Sequence, residues 1–344
     1  VNRRHFLHRL GATAGFSLAA PLAFTSRLAA ADLPPDLGRI AYQLSWIKNF
    51  QFAGEYVADT KKYYQRFGLA VDLLAGGPGT TVDPIVVSGK ALVAQSSPDD
   101  MSNAVAKGAP VRAIGACYQR PNVGIASPAQ APLRTPLEMI GKRIGVQTNN
   151  LVIWRAFLKL NQIAPSSIIT VPVQFDFAPL LSREVDGFFG DMNDDAVELR
   201  NQGHDVYALM FSDFGYKMFG NVYSVRADSL TDPLRRAQLV AFIKGECLGW
   251  QDVLRDPTLG IQLTIDVYGK GNGLDPKIQR ACSLATNASM VSPDTQQHGL
   301  FWMSPASVND TIHTLAAAGI KATPDLFTNE ILEEAYQDKS ISKS

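Results

Sequence analysis

Beyond Gly38, short apolar runs alternate with stretches in which apolar residues recur at helical spacing. Arg39–Trp46 reads as a strand, Phe50–Phe67 as a helix with one aromatic and aliphatic stripe, and Leu69–Leu74 as a second strand. Thr80–Ser88 predicts a short helix closed by Gly89, and Ala91–Gln95 a third strand. Asp99–Lys107 predicts a helix ending at Gly108, and Val111–Tyr118 a fourth strand. The rhythm restarts with strands at Arg143–Val146, Ile168–Val173, Asp186–Phe189 and Val206–Phe211. Helices lie between them, through Trp154, near Pro179 and over Asn193–Asn201. Strands separated by helices predict parallel pairing with right-handed crossovers.

Ser88–Val93 and Arg183–Phe189 echo one another: a helix exit, a tight turn and a short buried strand. In open parallel sheets ligands bind beyond the carboxyl ends of strands, so the echoes point two strand ends at one cleft. Asn221–Val225 reads as a strand returning to the first half. After it the chain is mostly helical, with apolar periods over Asp232–Val253, Pro257–Tyr268, Pro276–Asn287 and Ala306–Ala318.

The chain has 344 residues with 32 basic and 32 acidic side chains, and that zero net charge is unevenly spread. The first acidic residue is Asp32, and Arg3, Arg4, Arg9 and Arg27 precede it. Arg3-Arg4-His5-Phe6-Leu7 is a twin-arginine pattern, and Leu10–Phe24 is a short apolar region broken by Pro21. Ala29-Ala30-Ala31 offers the small residues a signal peptidase accepts. Residues 1–31 are therefore expected to be a twin-arginine signal peptide cleaved near Ala31, with the Tat translocase as partner and a periplasmic destination. The remainder carries 28 basic and 32 acidic residues, which argues against nucleic-acid binding. The length calls for two lobes, and no apolar run reaches the roughly 20 residues of a membrane-spanning helix.

Familiar catalytic patterns are missing: the sequence has no GxSxG, HExxH, CxxC or Walker loop. Cys117, Cys247 and Cys282 share no metal-binding spacing, so no metal or cofactor is expected. His204, His298 and His313 have no neighbouring ligand set. Candidate binding groups sit at strand ends instead. Gly77 and Gly79, in the turn Gly76–Thr81, either let backbone N–H groups approach a ligand or only punctuate the chain. Trp46 beside Asn49, and Tyr118, suit stacking walls as well as core packing. Phe189-Gly190-Asp191-Met192-Asn193-Asp194-Asp195 places an aromatic, an amide and three carboxylates at a helix start, more acids than a cap requires. Ser96 and Ser97 lie at the end of the third strand.

These segments carry a family resemblance. LSWIKNFQFAGEYVADTKKYYQRFGLAVDLL resembles the opening of ABC-importer substrate-binding proteins related to thiamine-pyrimidine-precursor binders and to the eukaryotic pyrimidine synthases. Trp46, Asn49, Ala53-Gly54 and Tyr63-Tyr64 occupy the motif positions, and VVSGKA (86–91), GKRIGV (141–146) and DLFTNEILEEAY (325–336) also match. The family's Asn-Glu-Pro stands here as Asn193-Asp194-Asp195, and the resemblance spans about residues 39 to 337. It implies an α/β type II periplasmic-binding fold of two lobes, residues 32–124 with 225–344 and residues 125–224. The implied crossing strands lie near Gly124–Ser127 and Val222–Ser224, with the helical C-terminal region packed on the first lobe.

The function this resemblance implies is solute capture for an ABC permease and its ATPase, by a monomer that is not an enzyme. A thiamine pyrimidine precursor is the first expectation and a flavin-type ligand the second. Sulfonate, taurine or nitrate binding, and a pyrimidine-synthase-like activity, are the alternatives. Against the enzyme, the Ser96–Ser102 stretch has no histidine and the chain has no cysteine cluster. The expected ligand contacts are Trp46, Asn49, Gly77, Gly79, Ser96, Ser97, Tyr118, Phe189, Asn193 and Asp194.

Overall fold

The computed structural model describes residues 35–77 and 79–341, so the signal-peptide expectation falls outside the described residues. Among the described residues ten strands form two five-stranded sheets. In chain order they are β1 (Gly38–Gln43), β2 (Leu69–Leu74), β3 (Val93–Ser96), β4 (Val111–Ala116) and β5 (Val123–Pro128). Then follow β6 (Arg143–Gln147), β7 (Ile169–Val173), β8 (Gly187–Asp191), β9 (Val206–Met210) and β10 (Val222–Arg226). The first sheet has the order β2-β1-β3-β10-β4 and the second β7-β6-β8-β5-β9. The two halves thus share one topology, in keeping with the echo between Ser88–Val93 and Arg183–Phe189.

Parallel pairing holds for β1 with β2 and β3, and for β6 with β7 and β8. It fails for one strand in each sheet: β10 is antiparallel to β3 and β4, and β5 is antiparallel to β8 and β9. The connection from β4 to β5 covers only residues 117–122. That is too short for a helical crossover back into the same sheet, so the chain passes into the other one. It returns through residues 211–221. The residues expected at the crossings, Gly124–Ser127 and Val222–Ser224, therefore lie inside the two inserted strands. The crossing segments themselves run side by side, joined by Gly220 N–H donating to the Tyr118 carbonyl at 2.9 Å.

The predicted Phe50–Phe67 helix is broken. A 3-10 turn over Phe50–Phe52 leads into the Ala53–Thr60 helix, and a second short helix spans Tyr63–Arg66. Lys62 between them has φ +62°, a left-handed conformation that interrupts the helical ladder. Strands β1 and β4 stop before Trp46 and Tyr118, leaving both aromatics in the loops that follow.

The first core lies between the first sheet, the Ala53–Thr60 helix and the long Pro233–Arg255 helix, with Tyr42, Phe52, Phe242 and Trp250 buried. Asp232 caps the long helix by accepting from Arg235 N, and Pro233 fits its first turn, where no N–H is needed. The two helices approach at backbone distance. A Cβ on Gly249 would stand 2.1 Å from the Gly54 carbonyl oxygen, and one on Gly54 would stand 2.3 Å from the Trp250 ring. A second core, around Trp154, Phe157 and Phe211, serves the second sheet and also takes in Leu315 and Ile320 from the C-terminal region. The C-terminal helices therefore pack on the first sheet and also reach the second. Among the described residues no helix is long and apolar enough to cross a membrane.

Candidate functional site

A cleft of about 320 Å³ opens between the two sheets where the loops after β1, β4 and β8 meet. From the first sheet it receives Ser45, Trp46, Gln51, Tyr118 and Arg120. From the second it receives Asn150, Phe175 and the run Phe189 to Asp195, apart from Met192. Asn122 and Asn221, in the crossing segments, and Thr286 and Ser289, on the Pro276–Met290 helix, help to complete the wall.

Half of the expected contacts meet there: Trp46, Tyr118, Phe189, Asn193 and Asp194 all line the cleft. The other half lie outside the lining. Asn49 is buried and caps the Phe50–Phe52 turn, its Oδ1 accepting from Gln51 N at 3.1 Å and its carbonyl from the Tyr56 hydroxyl at 3.1 Å. Ser96 Oγ donates to Asp83 Oδ2 at 2.7 Å, and Ser224 Oγ donates to Asp83 Oδ1 at 2.6 Å, so Ser96 braces the sheet. Ser97 caps the Pro98–Ala106 helix, accepting from Asp100 N at 3.3 Å. Gly77 and Gly79 stay out of the lining as well, and Gly79 has φ +82°, a turn position. Local backbone and capping needs already use these residues.

Several lining residues carried no motif. Gln51, Asn122, Asn150, Phe175 and Asn221 sit in turns and crossings whose facing direction depends on the tertiary fold. Thr286 and Ser289 left a fainter trace. Together with Cys282 they form a stripe of small polar residues at helical spacing along the Pro276–Met290 helix.

The loop after β8 is built by its own acids. Asp191 Oδ1 accepts from Asn193 N at 2.8 Å and from Asp194 N at 3.3 Å, while its other oxygen accepts from Asn122 Nδ2. Asp195 folds back so that its Oδ2 accepts from Asp191 N at 2.8 Å. Gly190 makes room for this, since a Cβ there would stand 2.1 Å from that same carboxylate oxygen. Asp191 and Asp195 are thus engaged in holding the loop. Asp194 has a thiol neighbour, Cys282, and keeps most of its acceptor capacity for the cleft.

Burial dominates the electrostatics. It pushes Asp191 well above the ordinary carboxylate range, reinforced by the neighbouring Asp194 and Asp195 charges. Asp194 is raised by burial, against the opposing hydrogen bond from Cys282. Asp195 is pushed up to about 7, mainly by burial. Arg120 is the cation that lines the cleft among the described residues, and one of its N–H groups already donates to the Ala288 carbonyl at 3.3 Å. Lys48 lies over the Tyr268 ring, 5.9 Å from its centroid, and is not in the lining. The result is a slot with aromatic walls, several amides, a set of acids that both accept and, when protonated, donate, and little positive charge. His204, His298 and His313 stand outside it, His298 stacking on Trp302. Among the described residues no group of three or more His, Cys, Asp or Glu side chains is arranged to hold a metal ion.

A family model described as NMT1/THI5 like matches residues 49–259. The chain belongs to the NMT1/THI5-like family. Among curated proteins it is similar to the riboflavin-binding protein RibY of Chloroflexus aurantiacus, 24% identical over 323 residues that cover 91% of each chain. Among solved structures it superposes on the periplasmic aliphatic sulphonate binding protein SsuA of Escherichia coli with a TM-score of 0.61 at 14% identity, covering 83% of this chain and 86% of that one. It also superposes on the periplasmic nitrate-binding protein NrtA of Synechocystis PCC 6803 with a TM-score of 0.53 at 15% identity, covering 90% of this chain and 91% of that one. This NMT1/THI5-like chain therefore has the periplasmic-binding-protein fold. Both of these structural neighbours are named as periplasmic ligand-binding proteins.

Proposed function

We propose that this protein is the periplasmic solute-binding component of an ABC importer, and that its cleft captures a flat, nitrogen-bearing aromatic solute. The observation that carries this reading is the pairing of walls. Trp46, Tyr118 and Phe189 make one part of the lining aromatic, and the Asn193–Asp194 edge offers hydrogen-bond acceptors for ring amino or imide groups. Asp194 is the ligand-facing acid, because Asp191 and Asp195 are occupied within their own loop.

Within that class a flavin-type ring is favoured over a single pyrimidine. The relative that aligns over 91% of both chains carries a riboflavin-binding name. The aromatic lining also extends to Phe175, whose ring is largely exposed, giving more ring surface than one small heterocycle covers. A thiamine pyrimidine precursor is the second reading, supported by the Trp46–Asn49 opening and the Asn193-Asp194 pair of the family motif. Sulfonate and nitrate fit poorly. An anion needs cationic or N–H-rich surroundings, and this cleft sets three carboxyl groups against Arg120.

The two lobes, residues 32–124 with 225–344 and residues 125–224, close on the solute by rotation about the paired crossing segments 117–122 and 211–221. The closed form of the monomer then engages a permease and its ATPase. Export by the twin-arginine route, with cleavage near Ala31, belongs to the same proposal.

Titration of the purified protein tests the ligand class. Quenching of riboflavin fluorescence, run beside calorimetry with the pyrimidine precursor of thiamine, should show saturable binding of at least one. Binding of an alkylsulfonate or nitrate, with neither heterocycle bound, overturns the proposal.

A further inference from the structure

The Pro276–Met290 helix touches both halves of the molecule at the cleft. On the first-sheet side Gln279 Oε1 accepts from Phe50 N at 2.9 Å, and Met290 is buried in the first core. Gln119, in the first crossing segment, donates its backbone N–H to the Ser289 carbonyl at 2.8 Å. On the second-sheet side Asn193 Nδ2 donates to Ser289 Oγ at 2.9 Å. Ser289 is buried, and Ser289 Oγ donates in turn to the Ala285 carbonyl at 3.0 Å, which fixes its hydroxyl as the acceptor for Asn193. Asn193, a second-lobe residue that faces the ligand, is therefore held by a helix anchored to the first lobe.

We infer that Ser289 is a positioning residue, and that the Asn193–Ser289 hydrogen bond is a ligand-independent latch biasing the two lobes toward the closed arrangement. The choice of latch follows from geometry. Asn193 and Ser289 come from segments 96 positions apart, and the bond joins the second-sheet loop to a helix fixed on the first core. Opening the cleft must break it, whereas the backbone pairing of the crossing segments can persist through a hinge motion. A single neutral hydrogen bond of this kind shifts a two-state balance by roughly 3- to 10-fold. That is enough to move an open-closed equilibrium without locking it.

The latch rests on the cleft reading given above, but its test does not need the ligand. Spin labels carried by non-canonical residues at the exposed positions Lys90 and Glu184 report the inter-lobe distance in the ligand-free full-length protein. Ser289→Ala and Asn193→Ala should each shift the distance distribution to longer separations, with the double variant shifting no further than the larger single one. Ser289→Thr, which keeps the hydroxyl, should match the parent. Thermal melting identifies any variant that fails to fold, and Ser289→Thr against Ser289→Ala then decides by itself. An unchanged distribution in both alanine variants, or strictly additive shifts, overturns the latch. Neither result bears on which solute the cleft takes.

Discussion

The Tyr118 hydroxyl donates to the Gln51 carbonyl at 2.5 Å, tying the first crossing segment to the turn before the Ala53–Thr60 helix. Both residues line the cleft, and burial raises the Tyr118 hydroxyl well above its ordinary pKa, so it stays a donor throughout the physiological range. Tyr118→Phe keeps the ring and removes the tie. The expected result is a loss of about 1 kcal/mol in urea unfolding and weaker solute binding, dominated by a faster off-rate. An off-rate unchanged in stopped-flow fluorescence would show that the ring alone matters.

Asp194 is expected to supply the strongest single polar contact to the solute. A hydrogen bond to a charged acceptor is worth about 1.5–3 kcal/mol, so Asp194→Ala should weaken binding by roughly 10- to 100-fold while leaving the melting temperature close to that of the parent. Asp191→Ala should behave differently, because Asp191 holds the backbone of its loop and the Asn122 amide. It should lower stability and affinity together. Calorimetry beside thermal melting separates the two patterns.

Stability should fall as pH rises through neutrality because of an acid pair in the first core. Glu55 and Glu246 are both fully buried. Glu246 accepts from the Tyr64 and Tyr223 hydroxyls, the latter at 2.8 Å, and burial still pushes it up to about 7. Glu55 is raised by burial and by Glu246. A folded-state pKa above the unfolded one means that folding retains the proton. The stabilisation is complete below the unfolded value and is lost as pH climbs through the folded one. For Glu246 the span from its ordinary value to about 7 corresponds to about 3 kcal/mol. Chemical denaturation between pH 5 and 8 should therefore show the parent losing stability relative to Glu246→Gln. A constant difference across that range contradicts the assignment.

Gly249→Ala tests the helix contact that buries those acids. The added Cβ meets the Gly54 carbonyl oxygen at 2.1 Å, against backbone, so no side-chain rotation relieves it. Overpacking of this kind costs about 1–3 kcal/mol, read as a lower urea midpoint. Gly271→Ala makes a useful contrast, since its Cβ meets nothing within 4 Å and the cost there comes from φ +94° alone.

The alternation of strands and helices, the two-lobed plan and the place of the cleft were legible in the sequence, because period and punctuation encode them locally. The return of Asn221–Val225 to the first half was legible too, but the antiparallel setting of β5 and β10 was not. A residue run such as Val222–Arg226 looks the same whether its partners lie beside it in parallel or in antiparallel fashion. Trp46, Tyr118 and Phe189 could be placed at strand ends from the sequence, but whether they face the cleft or the core was settled only by the tertiary fold, which puts all three in the lining. Ser96 and Asn49 lie outside the lining for a physical reason: small polar residues at strand ends serve caps and buried carboxylates as readily as ligands. Phe175 was invisible, and Ser289 left only the faint stripe of small polar residues on its helix, since their place at the cleft depends on how distant segments dock.

The inserted strands also set an order of assembly. In the first sheet β3 and β4 do not pair with each other; β10 stands between them. Until residue 226 has been synthesised, those two strands keep unsatisfied edges, the feature that invites wrong pairing between chains. The second sheet faces no such wait, since β5 to β9 are consecutive. The sheet that comes later in the sequence is thus the one whose strand pairings can close first, and the first sheet closes only when the chain returns to it.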